Sequence, residues 1–113
     1  MKVEQVPFTV IEWERKPVTE VPGKSGTARL RTVISETVCV RMVDFTPGYT
    51  ADHWCARGHI AFVVAGSLKI ALGDGRSFDL CAGSSFHIGD QAGRHRVSTD
   101  DGAKVFIVDS LTR

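Results

Sequence analysis

Turn-forming residues cut this chain into pieces too short for ordinary helices. They fall at Pro17, Pro22, Gly23 and Gly26, at Pro47-Gly48, at Gly73-Asp74-Gly75, at Ala82-Gly83 and from Gly89 to Gly93. Between them lie short runs that alternate apolar and polar residues. No window of ~11 residues sustains a helical period. About eight short strands separated by Gly and Pro turns predict an all-β sandwich or barrel.

The strands can be placed one by one. Phe8 to Glu14 alternates for part of its length and reads as a first strand. Lys16 to Thr27 holds four turn formers and reads as a loop. Ala28 to Ile34 reads as an edge strand. Val38 to Phe45 is β-branched and alternating, with apolar parity changing between Met42 and Val43. A bulge or burial on both faces would account for that change. Gly66 is expected to bend the chain before a strand from Ser67 to Leu72. An Asp-Gly pair then predicts a hairpin returning through Ser77 to Leu80, with Phe78 and Leu80 inward. Ser84 to Ile88, His95 to Ser98 and Lys104 to Asp109 complete the set.

A chain of 113 residues supports one domain, 1–113, with a real core. The formal net charge is +1 with no basic or acidic block, which argues against nucleic acid or an anionic membrane as partner. No apolar run approaches ~18 residues, so no transmembrane helix is expected. The first residues lack the apolar core of a signal peptide. Cys39, Cys55 and Cys81 are odd in number, so we read them as reduced thiols in a cytoplasmic protein, with Cys39 and Cys81 in the core.

The chemistry concentrates between Asp52 and Gly66. His53, Cys55 and His59 fall within seven residues, and imidazole and thiolate are the donors that borderline-soft divalent metals prefer. On an extended strand His53 and Cys55 share a face. Ala56-Arg57-Gly58 then reads as a tight turn and His59 to Ala65 as the return strand. Such a hairpin would bring His59 beside the other two. Cys55 could instead be a small buried hydrophobe. Asp52 has the opposite parity and is either an acceptor that fixes an imidazole tautomer or a solvated turn residue. Arg41 and Tyr49 either reach the mouth of the site, to hold a carboxylate or hydroxyl, or lie on the surface. Trp54 reads as outer packing and His87 as an ordinary satisfied side chain.

This stretch resembles the first motif of the cupins: Gly, five residues, His-x-His, three or four residues, Glu, six residues, Gly. Gly48 precedes His53 by four residues, one short of the pattern. Cys55 takes the second His position, His59 the Glu position, and Gly66 follows six residues later. The second motif is matched at Gly83 and, after one extra residue, at His95, with Gly89 at the Pro position and Thr99 at the Asn position. The likeness covers roughly residues 38–109, leaving 1–37 as an N-terminal segment. More narrowly, Ala-Asp-His-Trp-Cys with Gly-His-Ile after it is similar to the DHCW-motif cupin-fold proteins.

The resemblance implies a single-domain jelly-roll β-barrel holding one divalent metal ion. Its ligands here would be His53, Cys55, His59 and His95, the last from a remote strand. Zinc is favoured by that donor set, with iron, nickel or manganese as alternatives. The implied function is binding of, or action on, a small polar molecule at the metal. A sensor or carrier without turnover, or a structural zinc site, are the alternatives, and the residues leave open whether the protein is an enzyme. Ile60, Phe62 and Val64 make the strand from His59 apolar on its outer face too. That face needs cover from the segment around Phe8, Ile11 and Trp13, or from a second subunit, and we expect a homodimer.

Overall fold

A computed structural model describes residues 2–111. Eight strands carry the fold: β1 Thr19–Pro22, β2 Thr27–Ser35, β3 Val38–Phe45, β4 His59–Leu72, β5 Ser77–Cys81, β6 Ser85–Ile88, β7 His95–Ser98 and β8 Ala103–Ser110. All pairings are antiparallel, in the order β1-β2-β3-β8-β4-β5, with β6 and β7 also paired to β4. Among the described residues no helix is long and apolar enough to cross a membrane.

β4 joins the two layers. Its first half pairs with β8 and β6 in one sheet and its second half with β5 and β7 in the other. The register slips between Val63 and Ala65, and Gly66 follows at φ +77°. The expected bend is therefore a bulge inside one strand of 14 residues, not a break between two. Gly66 is needed for a second reason: a Cβ there would overlap the Gly102 carbonyl oxygen. We expect Gly66→Ala to cost about 2–3 kcal/mol in urea unfolding, from positive φ and backbone overlap together.

Several expectations need correction. Residues 8–12 form no strand, and a 3-10 turn at Trp13–Arg15 follows them. The segment read as a loop contains β1, which pairs with β2, so β2 is not an edge. β3 runs without a bulge between two full ladders, so its parity change reflects cover on both faces. Phe78 is exposed at the margin of its sheet, and Cys81 is exposed, not in the core. Cys39 is buried as expected, and all three cysteines are free.

The two sheets stack as a jelly roll around Val43, Ala61, Val63, Leu68 and Val105. Continuous ladders do not close into a ring. Isolated bridges at Ser25–Thr50, Thr50–Ser98 and Cys55–His95 span the remaining side. The segment 46–58 crosses there, and it carries half of the predicted donors.

Candidate metal centre

Strand register places the inward side chains in rows. Arg41, Ile107, Ala61 and Phe86 stand opposite one another across β3, β8, β4 and β6. One row further along, Cys39 faces Asp109. Extending the β8–β4 ladder one step past Ile60–Val108 sets Asp109 opposite His59. His95 opens β7 opposite Leu72 and enters the same space from the other sheet. The His59 and His95 rings meet edge to face at 4.8 Å between centroids, with Phe86 beside both.

Asp109 was not among the residues singled out from the sequence. It is 3% exposed. One carboxylate oxygen pairs with the Arg41 guanidinium, and the other lies 3.4 Å from His59 Nδ1 without a hydrogen bond of its own. The signal was parity: Val105, Ile107 and Asp109 alternate inward on β8. A carboxylate on the inward parity of an apolar strand requires a buried partner.

The expected hairpin from His53 to Ala65 does not form. Cys55 instead exchanges backbone hydrogen bonds with His95, N–H to carbonyl at 2.8 and 2.9 Å. This pairs Cys55 with the remote ligand position and leaves 56–58 as a connection, not a two-strand turn. His53 is carried outward: its side chain is 77% exposed and its Nδ1 lies 2.6 Å from Asp52 Oδ1. Trp54 packs beneath Arg94 and Arg96 at 5.0 and 6.0 Å from its ring centroid, outside the cavity. His87 points away from the site and is exposed.

A cavity of about 380 Å³ opens at this end of the jelly roll. His53, Cys55, His59 and His95 all line it, as do Arg41, Tyr49 and Asp109, but Asp52 does not. Tyr49 is buried and stacks on Phe45 at 4.8 Å. Burial, and secondarily the Asp52 carboxylate, raise its hydroxyl pKa. The four predicted donors thus share one cavity without converging on one point. Among the described residues, no three His, Cys, Asp or Glu side chains are arranged to hold one ion.

The donor pair that is in place suits a metal. His95 is 2% exposed and its buried Nδ1 has no hydrogen-bond partner. Two imidazoles on one ion at ~2.1 Å put their ring centroids roughly 5 Å apart, close to the 4.8 Å observed. Asp109 behind His59 Nδ1 favours the proton there, which leaves Nε2 with its lone pair. Burial first, then the charges of His95, Arg41 and Arg57, push the His59 pKa down to about 4. Burial lowers that of His95 as well. Both rings are therefore neutral at pH 7, the form that coordinates.

That depression gives the metal-free protein a defined acid response. The unfolded chain takes up the His59 proton near pH 6.5, whereas the folded protein resists it down to about 4. The contribution is complete above pH 6.5 and is lost progressively as pH falls toward 4. We expect about 2–3 kcal/mol of stability to disappear across that window, with His59→Gln flattening the profile in urea unfolding.

No protein-family model and no curated protein matches the chain. Solved structures are similar in fold. An RmlC-like cupin from Shewanella frigidimarina NCIMB 400 superposes with a TM-score of 0.75 at 18% identity, over 96% of each chain. The polyketide cyclase RemF from Streptomyces resistomycificus gives 0.76 at 17% identity, over 95% of this chain and 82% of that one. Fe(II)-HppE with the alternative substrate (S)-1-HPP gives 0.73 at 13% identity, over 90% and 60%. Long β4 shared between two sheets, the inward histidines at one end and these superpositions agree on one architecture: the chain has the cupin fold.

Proposed function

We propose that this protein is a small metal-binding cupin that binds a small polar molecule at a divalent ion inside the jelly roll. His59 and His95 would supply the fixed ligands. Cys55 and His53 would complete the set from the 51–58 segment, which has one bridge to β7 and no ladder of its own. What carries the reading is the edge-to-face pair of His59 and buried His95, the latter with an unpartnered ring nitrogen, at the cavity wall. The iron in the similar fold of HppE is consistent with it. The donor set favours zinc.

A bound ion would act as a Lewis acid toward a ligand oxygen. The chain's own groups have separate tasks. Asp109 stands behind His59, 3.4 Å from Nδ1, where it would favour the proton on that nitrogen, and Arg41 pairs with Asp109. Phe86 packs against both rings, and apolar side chains continue the wall below them. Among the described residues no carboxylate lines the cavity except Asp109, which Arg41 already engages. The test is metal content of the purified protein together with zinc titration by calorimetry. Stoichiometric binding that is lost in the double variant His59→Ala/His95→Ala is the expected result. Undiminished binding in that variant overturns the assignment.

The outer face supports a second proposal, a homodimer. Ile60, Phe62 and Val64 are exposed, and Phe62 is opposite Phe106 in the ladder. Trp13 covers Phe106, edge to face at 6.3 Å, but leaves the β4 residues open. Closed two-fold pairing would cover them. Light scattering is expected to give a dimer mass for the native chain and a monomer mass for Phe62→Lys.

A further inference from the structure

The charges around the cavity do not balance. Arg41, Arg57 and Arg96 line it, and Asp109 is the acidic residue among the lining groups. Asp109 is taken up by Arg41. Arg57 and Arg96 form no ion pair among the described residues. Arg96 donates its Nε–H to the Ala51 carbonyl at 2.8 Å and lies 6.0 Å over the Trp54 ring, which holds the side chain at the cavity rim. Two guanidinium groups at the cavity, those of Arg57 and Arg96, are therefore without an acidic partner among the described residues. Apolar residues line the rest, including Leu30, Val43, Leu68, Val105 and Ile107.

Size and polarity narrow the occupant. A space of 380 Å³ equals about a dozen waters at ~30 Å³ each. A small inorganic anion would leave the apolar wall wet and lose its own hydration there. An alcohol or amine would leave the guanidinium pair unused or opposed. From the cationic rim, the apolar wall and the volume together, we propose that the cavity selects an organic monocarboxylate with an apolar body. The carboxylate would sit toward Arg57 and Arg96 and the body against the inner strands. This deepens the functional reading above, and it rests on the same cavity being the binding site.

The experiment titrates hexanoate, hexanol, hexylamine and inorganic phosphate into the protein by calorimetry or NMR, after chelator treatment and again after zinc loading. In chelator-treated protein, hexanoate is expected to bind about 10-fold tighter than hexanol, a charge-assisted pair of hydrogen bonds being the difference. Hexylamine and phosphate are expected to bind more weakly than hexanoate. Arg57→Gln should bring hexanoate within roughly threefold of hexanol and leave hexanol unchanged. Raising salt in the native protein should weaken hexanoate and leave hexanol unchanged, a readout that needs no variant.

Equal affinity for hexanoate and hexanol, phosphate binding as tightly as hexanoate, or no binding by any probe overturns the inference. A preference seen only after zinc loading also overturns it, because the ion and not the arginines would then be the receptor. The metal assignment would survive that result. Conversely, a preference for hexanoate in a protein that takes up no zinc sustains the inference while the metal assignment falls.

Discussion

Asp109→Ala is expected to destabilise the fold by about 3 kcal/mol, toward the lower end for breaking a buried ion pair, because Arg41 keeps some contact with solvent. The residue is buried between Arg41 and His59, and neither partner has a substitute acid nearby among the cavity-lining groups. Removing the carboxylate leaves a guanidinium with a side chain 24% exposed facing an apolar wall. Arg41→Met should cost at least as much, since it strands the more deeply buried Asp109. The double variant Arg41→Met/Asp109→Leu should recover most of the loss, because a well-packed apolar pair replaces two charges that no longer need solvation. Urea unfolding of the four proteins closes this cycle. Additive losses would show that the pair is not coupled.

The second large effect separates the fixed donors from the loop donors. His59→Ala and His95→Ala are each expected to weaken zinc binding by roughly 100-fold, on the scale of one ligand's share of a structural site. His53→Ala and Cys55→Ala should cost less, about 10-fold, since part of each donor's contribution goes into ordering the 51–58 segment. Competition with a chromophoric chelator measures all four. Losses of equal size would mean that the loop donors are as well placed as the strand donors. A larger loss for His53 than for His95 would reverse the picture drawn from burial.

Asp109→Asn connects the two results. It keeps the side chain's shape and one acceptor but removes the charge. A loss in metal affinity larger than its loss in stability would show that the carboxylate acts on His59 through its tautomer, beyond holding the sheet together.

Much of the fold is legible in the sequence. Val38–Phe45, the Asp-Gly hairpin, and the last four strands follow from alternation and turn chemistry, both of which are local. The misreadings have physical causes. The β1 residues Thr19–Pro22 sit among turn formers, and only pairing with β2 makes them a strand. Residues 8–12 alternate but find no partner strand, and alternation without a ladder is not a strand. Gly66 looked like a break because a glycine in a bulge and a glycine in a turn present the same local signal.

The site divides along the same line. Spacing grouped His53, Cys55 and His59, the resemblance to the cupin motifs added His95, and all four do line one cavity. Neither could determine which of them meet. A strand's parity says which face a side chain occupies, but the partner across that face is set by register, which depends on the whole sheet. Register put Asp109 opposite His59, bridged Cys55 to His95, and turned His53 out to Asp52. The residue types in this chain therefore established an all-β domain with soft donors grouped near one turn. Tertiary packing alone decided that two imidazoles, one buried and one largely so, with an acid no motif had marked behind them, face an apolar cavity rimmed with unpaired arginines.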